Sequence, residues 1–122
     1  MDLRQRALAA LCVPDPADKV AAVRALWREA PGLPLGERPQ PPAGPLPGRP
    51  DRPRLIDPHR VPQRSPHTVA GRAALLHAIC HIEFNAINLG LDAVWRFDGM
   101  PRAFHDDWLR VDGENIASAQ IE

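Results

Sequence analysis

Eleven prolines between Pro31 and Pro62 constrain this chain more than any other feature. Each one removes a backbone donor and fixes φ, so helix and central strand are excluded there while extended, polyproline-like backbone is allowed. The stretch reads either as a solvated linker or as an ordered strap anchored by Leu46, Leu55, Ile56 and Val61. A motif for proline-recognising modules is a minor third reading, because PxxP matches are expected by chance at this proline density. Thirty residues precede the run and 60 follow it, in a chain of 122. Neither piece is comfortably large enough to bury a stable core alone, so the sequence reads as part of something larger.

Charge narrows the partners. Fifteen basic and fifteen acidic residues cancel, leaving no long-range field to draw nucleic acid or an anionic membrane. Residues 1–60 carry ten Lys/Arg against seven Asp/Glu, net +3, and residues 61–122 carry five against eight, net −3. That asymmetry favours docking of one half on the other but names no outside partner. Cys12 and Cys80 stand in apolar, helix-like stretches without a CxxC pair, which fits buried reduced thiols better than a disulfide framework. No apolar run reaches membrane-spanning length, and the N-terminus lacks a signal-peptide core. A cytoplasmic protein is expected.

The spacing predicts an all-α chain in three segments. Residues 1–30 form an N-terminal helical segment: Leu3, Ala7, Leu8 and Leu11 repeat at helical spacing until Pro14 and Pro16 end the pattern. Asp15 then caps a second helix with Pro16 at its first position and Val20, Val23, Leu26 and Trp27 on its stripe. Residues 31–67 are the proline-rich linker or strap. Residues 68–122 begin with a proline-free run from Thr68 to Phe97, read as one helix roughly 45 Å long. After a turn at Asp98-Gly99, another helix starts near Pro101 and carries Phe104, Trp108, Leu109 and Val111 until Asp112-Gly113 interrupts it.

On the long helix, His77, His81, Asn85, Asn88, Asp92 and Arg96 form one polar stripe at the helical period, expected to face solvent. The remaining surface is almost wholly apolar and calls for several partner helices, a bundle rather than a hairpin. Glu83 breaks this order. It stands about 160° from both His81 and Asn85, among Leu76, Ile79, Ile87, Gly90 and Val94. A carboxylate there must be neutralised, paired or metal-bound, because burying it unpaired costs several kcal/mol. Three readings stay open at this level: a metal ligand, a buried ion pair or hydrogen-bonded carboxyl, and a misjudged face. Gly90, two turns on, could admit a close partner.

Other chemistry is sparse. His77 and His81 are one turn apart but lie on the polar stripe, where solvated histidines are the plain reading. His105, with Asp106 and Asp107, reads as part of an acidic first turn. His59 and His67 have no visible companions. Glycine-rich phosphate loops, serine elbows and HExxH strings are all missing, and the three tryptophans read as core residues.

The strings His77-Ala78-Ile79-Cys80-His81-Ile82-Glu83, Leu91-Asp92-Ala93-Val94-Trp95-Arg96-Phe97 and Phe104-His105-Asp106-Asp107-Trp108-Leu109-Arg110 resemble the bacterial ferritin-like family catalogued as domain of unknown function 455. So do the upstream Arg60-Val61-Pro62-Gln63-Arg64-Ser65 and the proline-rich strap. The resemblance implies a four-helix carboxylate bundle, distantly similar to di-iron tRNA hydroxylases, with iron or manganese as the metal. Glu83 would match the first-helix ligand, and His81 lies in the same string. The family pattern continues into a Glu-Glu-x-x-His-Phe-like segment, but here Asn115 and Ser118 stand at the carboxylate and imidazole places, and two later ligand helices are missing.

The chain therefore resembles an incomplete, truncated or frame-disrupted N-terminal portion of a ferritin-like bundle, without autonomous catalysis. Two alternatives remain: a di-iron or di-manganese oxidase or hydroxylase completed by another chain, and a helical protein-interaction module. Self-association or added helices would cover the apolar faces.

Overall fold

The computed structural model describes residues 1–44, 46–49 and 68–121, with backbone only for residues 72–80 and 118–121. Among them the chain is helical and has no strand: α1 spans Leu3–Cys12, α2 Pro16–Glu29, α3 Val69–Arg96 and α4 Arg102–Ile121, with a short 3-10 turn at Ala30–Gly32 after α2.

Local sequence explains the starts of α1, α2 and α3. The Asp2 carboxylate accepts from the Gln5 N–H at 2.8 Å while Gln5 Oε1 accepts from the Asp2 N–H at 3.0 Å, a reciprocal cap on α1. Asp15 caps α2 through the Asp18 N–H at 2.9 Å, with Pro16 first in the helix. Thr68 Oγ1 accepts from the Gly71 N–H at 2.9 Å and opens α3. The long helix anticipated from Thr68 to Phe97 thus forms over nearly that whole run.

α3 lies between α1 and α4, and α2 packs on both of those outer helices. The core draws on every helix, through Leu3 and Leu11, Val23 and Leu26, Leu91 and Val94, and Leu109 and Ile116. Residues 33–44 and 46–49 run along this assembly. The carbonyls of Pro34 and Leu35 accept from the Leu3 and Arg4 N–H groups at 2.8 and 3.3 Å, which satisfies donors left over at the start of α1. Leu33, Leu35 and Leu46 pack against the core, and Trp95 Nε1 donates to the Pro39 carbonyl at 2.9 Å. Leu55, Ile56 and Val61, with His59 and His67, lie outside the described residues.

The structure corrects several expectations. Asp112-Gly113 does not interrupt the last helix, since α4 runs through both. Gly113 is there for packing: a Cβ on it would stand 2.2 Å from a ring carbon of Trp27. Trp27 itself is 40% exposed and covers Gly113 from outside rather than filling the core. The polar stripe of α3 does not all face water. Asn85 and Arg96 are exposed, but Asn88 is buried at 4%, while apolar Ile82 and Leu89 are 67% and 60% exposed. The helix is rotated so that its buried sector is centred between Glu83 and Asn88, with α1 and α4 both packed against α3.

Candidate functional site

Glu83 is half-buried. The residues that continue its face toward the C-terminus, Ile87, Gly90 and Val94, are buried as the periodicity requires. His81 is also half-buried, and the helical period turns it well away from Glu83. The side chains of His77, Cys80 and Ser118 lie outside the described residues, and Asn115 is half-buried. Among the described residues no three His, Cys, Asp or Glu side chains gather where a metal ion could be held. A di-metal carboxylate centre needs several such donors converging, so the described set does not fit one.

The buried polar groups concentrate elsewhere. Lys19, on α2, has 0% exposure. Its Nζ donates to the carbonyls of Leu11 and Gly48 at 3.1 and 3.0 Å and to Asn88 Oδ1, and lies 4.7 Å from the centre of the Phe84 ring. Three donors meet three acceptors, which is how an ammonium can be taken out of water. Desolvation pushes Lys19 down to about 8, and the nearby charge of Arg49 adds to the effect. The other side of the Asn88 amide is not matched: Nδ2 is buried and has no hydrogen-bond partner.

A second group closes the C-terminal end of α3. Arg4 is buried and donates to the Trp95 carbonyl through Nε at 3.0 Å and Nη2 at 2.8 Å, with Nη2 also 2.8 Å from Asp98 Oδ1. His105 is buried rather than part of an acidic first turn, and its Nδ1 donates to the Val94 carbonyl at 2.7 Å. The two side chains satisfy carbonyls that a helix end leaves unpaired, and the Arg4 cation complements the negative end of the helix dipole. Hydrogen bonding to Arg4 holds the Asp98 carboxyl below its usual range. Asp106 pairs instead with Arg102 at 3.0 Å.

The third group is Asp112, also at 0% exposure, with neither carboxylate oxygen hydrogen-bonded. It sits on Gly90, so the close partner that this glycine could admit is a carboxyl from α4. Burial alone pushes Asp112 up to about 8. An acid in that setting is held in its neutral form near pH 7.

Sequence reading passed over Lys19, Arg4 and Asp112, yet the signal used for Glu83 was present in each. Lys19 shares helical spacing with Val23 and Leu26, Arg4 with Ala7, Leu8 and Leu11, and Asp112 with Leu109 and Ile116. All three are polar residues inside an apolar stripe.

A curated relative from Haemophilus influenzae, described only as an uncharacterized protein, is 58% identical over 67 residues. That match covers 49% of this chain and 23% of the relative, so the chain corresponds to less than two thirds of the relative's length. No solved structure matches the chain. No helix among the described residues is long and apolar enough to cross a membrane. The model of the family described as protein of unknown function DUF455 matches residues 12–117, and the chain belongs to that family.

Proposed function

We propose that this chain is the N-terminal portion of a ferritin-like carboxylate bundle and serves as a helical scaffold without catalysis of its own. The observation that carries this reading is Glu83: half-buried on the packed side of α3, with no set of companion donors among the described residues. A neutral amide at Asn115 is a poorer ligand for a hard cation than a carboxylate, and a hydroxyl at Ser118 does not replace an imidazole. The proline-rich stretch acts in this reading as a strap that ties α1 to α3, and the working compartment is the cytoplasm.

The exposed Ile82 and Leu89 favour a second element of the same reading. A further helix, from another chain or a second copy, would cover that flank of α3. If that helix carried the missing carboxylates and imidazoles, Glu83 would contribute to an iron or manganese centre of the completed assembly, with His81 turned away from it.

Anaerobic iron loading of the purified chain, followed by desalting and metal analysis, tests the proposal. Substoichiometric iron, insensitive to Glu83→Ala, is expected. Two tightly held irons per chain, lost in Glu83→Ala, would overturn it.

A further inference from the structure

An open cleft of about 320 Å³ lies between the C-terminal end of α1, residues 46–49 and the outer flank of α3. Its volume is at the small end of the range in which proteins hold small molecules. Leu46, Pro47 and Leu89 give it an apolar wall. Leu89 is among the most exposed large apolar side chains of α3, so in the chain by itself, before any further helix covers that flank, the wall is open to a ligand.

The polar part of the cleft carries an excess of positive charge. Arg49 enters from the segment after α1 and α2, and Arg96 from the end of α3. Arg49 donates to Asn85 Oδ1 at 2.8 Å, and its guanidinium carbon is 5.9 Å from the centre of the Phe84 ring that Lys19 also approaches. The one carboxylate lining the cleft, Asp92, is engaged by Arg96 through both of its oxygens at 2.8 Å. Asn88 lines the same cleft. Its Oδ1 is taken by Lys19, while its buried Nδ2 has no acceptor. That nitrogen is itself shut off from solvent, so the donor group a ligand can reach on this side of the cleft is the guanidinium of Arg49.

We infer that this cleft binds a small monocarboxylate with a short apolar body, the carboxylate received by Arg49 on the Asn88 side and the body laid against Leu46, Pro47 and Leu89. A planar carboxylate matches a guanidinium fork in two parallel hydrogen bonds. The apolar wall offers a phosphate nothing. A cation is disfavoured by Arg49, since the one carboxylate in the lining, Asp92, is already paired with Arg96.

The test is a titration of the full chain with sodium hexanoate at constant ionic strength, followed by backbone amide NMR, with inorganic phosphate and hexylamine as parallel probes. Hexanoate is expected to give saturable shifts confined to residues 46–49 and 85–96, with Kd below about 10 mM. Arg49→Ala should weaken binding at least about fivefold. Asn88→Asp keeps an acceptor for Lys19 and adds negative charge beside the cleft, and should also weaken it. Unperturbed spectra away from the cleft identify each variant as folded, and Arg49 is not one of the core residues, so its removal leaves the core intact. Absence of saturation, phosphate or hexylamine binding as tightly as hexanoate, or unchanged affinity in the folded Arg49→Ala chain would each overturn the inference.

Discussion

Gly90 of α3 and Asp112 of α4 approach so closely that a Cβ at position 90 would stand 2.2 Å from the Asp112 Oδ1. Real side chains do not tolerate that separation, so Gly90→Ala must push α4 away or force the buried carboxyl into a new rotamer. We expect a net loss of about 2 kcal/mol, overpacking outweighing the gain of about 1 kcal/mol in helix propensity. Asp112→Ala removes the obstructing group, and the double variant should recover most of the loss. Urea unfolding of the four chains of this cycle measures the coupling, expected to exceed about 1 kcal/mol.

The pH dependence of stability should follow the two buried groups. Asp112 is raised in the folded chain to about 8 from an ordinary 3.8, so the folded state holds a proton that the unfolded state releases between those values. Its contribution is fully present below about pH 4 and is lost as pH rises toward 8, at up to about 1.4 kcal/mol per pH unit. Lys19 is depressed to about 8 from 10.5, chiefly by desolvation. The folded state therefore binds fewer protons there, and stability climbs again between about pH 8 and 10.5. A stability minimum near pH 8 is expected in denaturant titrations, with the falling limb flattened by Asp112→Asn and the rising limb by Lys19→Met.

Asn88→Leu should destabilise strongly, against what a solvent-facing stripe would give. The substitution removes one of three acceptors from a fully buried ammonium, and a loss of about 3 kcal/mol follows from leaving that charge short of a partner. Lys19→Met combined with Asn88→Leu should regain much of it. Thermal unfolding of the single and double variants checks this. Equal, small effects would return Asn88 to the solvent face.

Arg4→Ala is expected to cost about 2 kcal/mol, because the Trp95 carbonyl would lose both of its guanidinium donors inside the protein. Arg4→Lys should recover only part, since an ammonium cannot present two donors in the fork that reaches Trp95 and Asp98 together. Hydrogen exchange of the last turns of α3 would show faster opening in Arg4→Ala than in Arg4→Lys.

Local information determined much of this architecture. Proline and capping residues set the ends of α1 and α2, the proline-free run from Thr68 produced α3, and periodicity placed Ile87, Gly90 and Val94 on a buried face. These features are written within a few residues of where they act, so no knowledge of the fold is needed to read them. Gly113 is the exception that defines the limit, since a glycine that would end a helix in isolation is retained inside α4 by the ring of Trp27 from another helix.

What the tertiary structure decided is where each polar residue on the edge of an apolar stripe ends up. Asn88 and Asn85 belong to the same stripe, yet Asn88 is buried because Lys19, 69 residues away, reaches its amide, and Asn85 remains at the surface. Arg4 is buried by a helix end 91 residues distant. Helical spacing fixes the angle of a side chain on its own helix. The elements that arrive opposite that angle fix whether water, a carbonyl or a carboxyl meets it, and in Lys19, Arg4 and Asp112 those elements come from distant parts of the chain.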